Sequence, residues 1–594
     1  MLKTYGDANP GATKLVLDKG SFLGGVWARD RLYPGLRTNN HFKTFEYSDS
    51  PMSTEGYDPQ NDHIPGEHVN EYLLDYVNKY NLIRHIRFNS SVESAIDNGD
   101  AGWTLVVADT KRPQREIVKI RARKLVLATG LTAEPFMPSL EGRETFSTPI
   151  YHSSEFAKAE DGPGQYKKVV LLSGAKFSWD IACAYASAGV HVDWIIRESG
   201  HGPCWMMPNR LTPLKVIPEL LLTTRLITWL SPTIWDSDGF TSIRSFFQRH
   251  WLGRKIVDGF FAKIQHSVLE HNDYDAHPET AKLKPWDDLF FIGTNRGLFN
   301  YGLDFFELVR NGTISVHIAD ISRLSEHTVH LSNGESLDAD VLIFGTGWKD
   351  APQLRFVTER ELGLPGFASP SANRFIAKAD AEILEKCPKL KDQPEPREVK
   401  PMTDDATELA KEPYRLYRFM VPPAFIASRT LAFAGAYRSP ATTIIAQVQA
   451  LWITAFLDNQ LPALHTATTK PPSNDMSKPT NGTLADGNTT STDLNDPANR
   501  ILYETVLHTQ FGKWRYSRGF GARFPELWFD CLPYVDLLLR DVGVQNRRKG
   551  SWWGERFTPY WPKDYRGIVD EYLELRDGRA RERGDRRAEC KKQK

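Results

Sequence analysis

The chain has 594 residues, with 74 basic and 74 acidic side chains and a formal net charge of zero. That length exceeds what one hydrophobic core serves, so several domains are expected. The balanced charge argues against the basic footprint of a nucleic-acid binder, and 41% hydrophobic residues fit an ordinary globular protein.

The first predicted element is a buried strand at Thr13–Asp18. A strand ending in an acid reads as the second strand of a dinucleotide-binding unit. Its carboxylate accepts a ribose hydroxyl, and a glycine fingerprint lies about 20 residues upstream. Only seventeen residues precede Asp18, and they hold no G-x-G-x-x-G. A Gly/Trp/Pro loop follows from Gly24, then a helix over Glu67–Asn81 and a strand over Lys124–Ala128 that runs into Thr129-Gly130.

A second unit begins near residue 161 and is complete. Strand, tight turn, helix and strand fall within "KKVVLLSGAKFSWDIACAYASAGVHVDWIIR". The fingerprint positions are Ser173, Ala175 and Ser178, with Gly174 inside the turn. Small residues permit the tight turn, and the helix start offers N–H groups to a phosphate; Ala175 adds a methyl where the phosphate approaches. Arg197 closes the next strand and suits the 2′-phosphate of NADP, where an acid would suit NAD. A packing turn that holds no phosphate is the alternative.

Leu214–Trp235 is the most apolar stretch. Lys215, Glu219 and Arg225 interrupt it, leaving it short of a spanning helix. It reads first as a core or channel-lining helix and second as a peripheral membrane contact. Residues 339–350, "ADVLIFGTGWKD", repeat the strand-TG pattern, and a strand at Leu431–Ala436 and a helix around Thr443–Leu457 follow. The expected fold is α/β: one Rossmann-like fold inserted in another, with a helical C-terminal extension. Its parts are 1–160 and 339–463 for the outer fold, 161–338 for the insert, a disordered linker at 464–499, and 500–594 as the extension with a charged tail. Cys183, Cys204, Cys387, Cys531 and Cys590 are scattered without metal or disulfide spacing. With no signal-peptide pattern at the start, the expectation is a cytoplasmic protein without a metal site.

"GGVWARDRLYPGLRTNNHFKTFEYSDSPM" (24–52) resembles the flavin-containing monooxygenases, the class B flavoprotein group that includes Baeyer–Villiger enzymes. The likeness continues through Ala128-Thr129-Gly130 and through Phe146-x-Thr148-x-x-x-His152-x-x-x-Phe156, a loosened form of the family's linker motif. It extends to Phe344-Gly345-Thr346-Gly347-Trp348 and to "AFAGAYRSPATTIIAQVQALW" (432–452), so it spans most of residues 10–460. Residues 500–575 look like the C-terminal extension of fungal members from secondary-metabolite pathways.

The resemblance implies FAD in the outer fold, NADPH in the inserted one, and O2 activated as a C4a-(hydro)peroxyflavin. It implies a small, mostly apolar substrate. Asp18 would hold the adenosine ribose of FAD. Gly25, Val26 and Trp27 would flank the flavin, and Thr38, Asn39 and Asn40 would lie by the isoalloxazine and the nicotinamide ribose. After "YPG-x-R-x" Baeyer–Villiger members place Asp and nitrogen- or sulfur-oxygenating members place Asn, which points to Asn39 as the catalytic position. His152 would serve the domain linker, a plain surface histidine being the alternative. Gln447 stands where the family has Glu and receives no role. The family also opens on a strand, G-x-G-x-x-G and helix that this sequence does not show. Either the natural start lies about 20–25 residues earlier, which is the favoured expectation, or the chain is a relic that binds FAD poorly.

Overall fold

The computed structural model describes residues 1–592 except 34, 56–62, 113–116, 159–164, 212–215, 237, 294, 302, 353, 395–411, 466–491, 518 and 524. Most of the expected linker at 464–499 lies outside the described residues.

The inserted fold is built on a five-stranded parallel sheet. Its strands run Ile314–Ile318, His191–Ile196, Lys168–Leu172, Val341–Phe344 and Ile150–His152, in that spatial order. The three central strands are buried at nearly every position, as expected for a parallel sheet covered on both faces. Helix Lys176–Ser187 packs on one face through Trp179, Ile181 and Ala182, all fully buried.

This sheet corrects the expected boundaries. Val341–Phe344 does not restart the outer fold; it pairs with Lys168–Leu172 and Ile150–His152 inside the insert. The insert's sheet therefore reaches from 150 to 344. The physical reason is that a strand followed by Thr-Gly looks the same in either sheet. Which sheet it joins is decided by partners more than a hundred residues away.

Among the described residues the outer fold includes two separate two-stranded parallel sheets. Val16–Leu17 pairs with Ile86–Arg87, and Leu125–Leu127 pairs with Leu431–Phe433. The helix Thr442–Leu457 follows the second pair and is apolar on all sides, with Leu451, Trp452 and Ile453 fully buried. Such a helix must be enclosed, and the extension encloses it. Helices Pro497–Arg515 and Cys531–Val542 join it in one core through Val506, Phe511, Val535 and Leu538.

The apolar stretch at 214–235 is interior. It forms two short helices, Pro218–Leu222 and Arg225–Leu230, and Ile227, Trp229, Ile234 and Trp235 are buried. Ile227, Ile234 and Trp235 join the main hydrophobic core, the first of the two expected roles. Its described apolar residues face the protein core, Arg225 is ion-paired there with Asp536 and Glu555, and Glu219 accepts hydrogen bonds from Asn40 and His41. Among the described residues no helix is long and apolar enough to cross a membrane.

Candidate active site

The glycine loop comes first. Gly24 and Gly25 have φ of 125° and 60°, and a Cβ on Gly24 would stand 2.8 Å from the Ala28 nitrogen. Only glycine meets both demands. Asn70, on helix Gly66–Lys79, donates to the Leu23 carbonyl at 3.2 Å and to the Trp27 carbonyl at 2.8 Å, which pins the loop from below. Trp27 meets Phe45 edge-on at 6.0 Å, while Val26 stays 41% exposed, so the two expected flanking residues differ in freedom. Asp18 follows the strand Val16–Leu17, and one of its oxygens accepts the Gly20 N–H at 2.7 Å. Asn70 escaped the sequence reading because one polar residue on a helix carries no pattern.

Strand Arg37–His41 carries the expected reaction-side residues. Thr38 is buried; its hydroxyl donates to the Asn40 carbonyl at 2.6 Å and accepts the Ile64 N–H at 3.1 Å. Asn39 is exposed, and its side chain makes no hydrogen bond among the described residues. Asn40 is tied down: its amide nitrogen donates to Glu219 Oε1 at 2.5 Å and to the Pro440 carbonyl at 2.8 Å. Next to it the rings of His41 and His63 stand 4.7 Å apart, and His63 Nε2 meets Asn209 Oδ1 at 2.9 Å. The strand thus touches the insert through Glu219 and the outer fold's return through Pro440.

That return follows strand Leu431–Phe433. Gly435 turns with φ 78°, and its N–H is accepted by Gln449 Oε1 at 3.0 Å. Gln449 then donates to the Tyr534 hydroxyl at 2.9 Å, which couples the turn to the extension. Gln447 gains a role: its Oε1 accepts the Ser48 N–H at 2.9 Å, fastening the helix to the segment after the Asn39 strand. Helix Thr442–Leu457 starts without a side-chain cap, so its first N–H groups are open to an electron-rich ligand. Beyond the turn, Arg438 bridges Glu526, with Arg438 N–H to the Pro525 carbonyl at 2.9 Å. Arg296 stacks on Trp528 at 3.4 Å, and enclosure pulls its guanidinium down to about 9. Among the described residues its Nη2 has no hydrogen-bond partner. The extension therefore builds one wall of the region, a contribution no sequence signal marked.

The nucleotide turn of the insert is tight. Ser173 holds φ 151°, a costly value for a residue with a side chain, and its Oγ accepts the Ala175 N–H at 3.1 Å. A Cβ on Gly174 would stand 2.3 Å from the Gly202 carbonyl oxygen. Ala175 caps helix Lys176–Ser187 with no side-chain bond, leaving open N–H groups for a phosphate. Ser178 is fully buried against Gly345, so it packs the turn. Arg197 sits one residue after strand His191–Ile196 and pairs with Asp320 at 3.1 Å. His152 is 1% exposed, which sets aside the surface reading. Its Nε2 meets the Gly347 carbonyl at 2.9 Å and its Nδ1 meets Ser154 Oγ at 2.9 Å, stapling two strand ends of the insert; burial lowers its pKa.

These groups fit two dinucleotides in part. An acid after a strand suits a ribose, the open start at Lys176 suits a pyrophosphate, and the Gly24–Gly25 and Gly435 turns leave backbone room for a flat ring. Among the described residues the outer fold shows no second glycine-rich turn for a pyrophosphate.

The sequence profile described as FMO-like, flavin-binding monooxygenase-like, matches residues 22–356. The chain belongs to the flavin-binding monooxygenase-like family. The match begins just before the glycine loop and ends beyond the last strand of the insert. The FAD-dependent monooxygenase rstn6 of Aspergillus nomiae is 31% identical, covering 97% of this chain and 96% of its own length. The FAD-dependent monooxygenase resA of Aspergillus sclerotiorum is also 31% identical, over 96% and 95%. Both alignments include the extension. As a member, the chain is an FAD-dependent monooxygenase. For the fold, the crystal structure of cyclohexanone monooxygenase from Rhodococcus sp. Phi1 bound to NADP+ superposes with a TM-score of 0.53. The identity is 16%, over 91% of this chain and 94% of that one. This likeness confirms the two nested Rossmann-type folds.

Proposed function

We propose that this flavin-binding monooxygenase uses NADPH and O2 to oxygenate a nitrogen or sulfur atom of a small, mostly apolar metabolite in fungal secondary metabolism. Bound FAD supplies the oxygen chemistry. The chain's residues bind, orient and exclude water. Asp18 holds the adenosine ribose, Gly25, Val26 and Trp27 border the ring system, and Ser173, Gly174, Ala175 and the start of helix Lys176–Ser187 take the NADPH pyrophosphate. Ser178 backs that turn. The observation that carries the reading is Asn39: an exposed neutral amide where the ketone-oxidising group of the family has an acid. An amide donates and accepts hydrogen bonds without adding charge beside the reacting oxygen.

Arg296 favours a second reading, Baeyer–Villiger oxidation of a ketone. A half-enclosed guanidinium with an unpaired Nη2 can stabilise the oxyanion formed from a carbonyl. Purified protein supplied with FAD should be yellow and should consume NADPH with O2. Amine or sulfide oxides among the products support the first reading and esters the second. A colourless protein that ignores NADPH with FAD in excess would mean a relic and sink both.

Arg197 gives a cofactor prediction. A guanidinium pairs bidentately with a 2′-phosphate that NADH lacks. Arg197→Ala should raise the apparent KM for NADPH about tenfold and leave that for NADH nearly unchanged. Equal losses with both would mean that Arg197 is structural, held by Asp320 and Ser199.

A further inference from the structure

Glu219 is 6% exposed, and among the described residues it has no ion-pair partner. A buried carboxylate with no cation is costly, and proteins keep such groups chiefly where they act. Glu219 came to attention in the sequence only as a charge interrupting an apolar run. It opens the short helix Pro218–Leu222 of the insert, yet both of its oxygens reach into the outer fold. Oε1 accepts from the Asn40 amide at 2.5 Å and Oε2 accepts the His41 N–H at 2.8 Å. Burial pushes its carboxyl up to about 7 against the hydrogen bonds that pull it down.

The chemistry of this contact is specific. The Asn40 amide, the His41 N–H and the Thr44 hydroxyl face Glu219, so the two N–H donors need an acceptor on each of its oxygens. A carboxylate supplies both; a glutamine turns an NH2 on one of the donors. The second effect is on Asn40. Its NH2 has two hydrogens, and Glu219 and the Pro440 carbonyl, both acceptors, use both. The amide is therefore locked in one orientation. What remains available is its side-chain oxygen, an acceptor and never a donor.

We propose that Glu219 is a positioning residue that holds the Asn40 amide with its oxygen as the only group left to bind a ligand donor, so that Asn40 selects a hydroxyl or carboxamide N–H of the nicotinamide half of NADP. This rests on the assignment of Asn40 to the nicotinamide side. It goes beyond that assignment in naming the atom, its polarity and the residue that fixes it. Because Glu219 belongs to the insert and Asn40 to the outer fold, the same bonds also set how the insert's segment seats on the reaction strand.

The test is a double-mutant cycle read by NADP+ affinity, measured by calorimetry on the full chain supplied with FAD. Wild type, Glu219→Gln, Asn40→Ala and the double variant are compared, with thermal midpoint as a check on folding. Glu219→Gln should weaken NADP+ binding about tenfold, as for one well-placed hydrogen bond, with a thermal midpoint close to wild type. The double variant should bind as Asn40→Ala does, because a residue that acts through Asn40 has nothing further to lose. Glu219→Asp keeps two acceptors and shortens the reach by one methylene; it should fall between wild type and Glu219→Gln, and it stands in for that variant in the cycle if the latter does not fold. Additive losses, or wild-type affinity in both Glu219 variants, would overturn the proposal. If Asn40→Ala binds NADP+ normally, the assignment of Asn40 fails and the proposal with it. If only turnover is absent while the cycle behaves as stated, the proposed reaction fails and the positioning role stands.

Discussion

Arg225→Leu should destabilise the protein by about 3–5 kcal/mol, the range for breaking a buried ion pair from one side. Arg225 is 1% exposed and is the centre of a closed network. Its Nε donates to Glu555 Oε1 at 2.6 Å, its Nη1 and Nη2 clasp the Asp536 carboxylate, and Nη2 reaches the Tyr560 hydroxyl at 3.3 Å. Asp238 lies 3.8 Å away and is clasped in turn by Arg244. Removing Arg225 leaves Asp536 and Glu555 buried without their guanidinium, and that residue, not the loss of attraction, sets the cost. A triple variant Arg225→Leu, Asp536→Leu and Glu555→Leu removes the stranded charges too and should recover most of the loss. The measurement is the thermal midpoint together with limited proteolysis. Cleavage is expected to concentrate in residues 497–575, since Asp536 and Glu555 belong to the extension and Arg225 to the insert. A single variant within 1 kcal/mol of wild type would show that the network is relaxed by water. The consequence reaches the reaction region, because the same extension supplies Glu526 and Trp528 to its wall.

The sequence reading succeeded where the signal is local. Strand, turn and helix at 168–196 follow from a βαβ pattern within about 30 residues, and Lys168–Leu172, Lys176–Ser187 and His191–Ile196 match it. The helix expected around Thr443–Leu457 forms at Thr442–Leu457. It failed where the partner is distant. Nothing near Val341–Phe344 says which sheet it joins. Nothing within Leu214–Trp235 says that Glu219 will bond Asn40, 179 residues away, or that Arg225 will pair with Asp536, 311 residues away. The charges told against a spanning helix; that Glu219 and Arg225 find partners inside the protein is decided by residues far outside the stretch. The asparagine pair at 39 and 40 stands out in the sequence as a candidate site through the family resemblance. That one amide is exposed and the other locked does not show there, because neighbouring identical residues have identical local signals.

That difference makes Asn39 the sharper test of the reaction. Asn39→Ala should leave NADPH oxidation largely intact and cut product formed per NADPH about a hundredfold, with hydrogen peroxide appearing instead. The magnitude is that of one preorganised donor removed from a developing oxygen charge, about 3 kcal/mol. The structure supports a local effect: Asn39 makes no hydrogen bond among the described residues, so its loss breaks nothing that holds the fold. Strand Arg37–His41 keeps its anchors, Thr38 to Ile64 and Asn40 to Pro440. A fall in coupling with an unchanged thermal midpoint therefore reports on the oxygen-transfer step alone. Asn39→Asp separates charge from shape. It keeps the volume, removes the donor and adds a negative charge, and should lower nitrogen or sulfur oxygenation at least as far as Asn39→Ala does. Peroxide and product are measured in the same assay, against NADPH consumed. If Asn39→Ala retains wild-type product yield, the amide does not touch the reacting oxygen, and Arg296, whose Nη2 has no hydrogen-bond partner among the described residues, becomes the residue to vary.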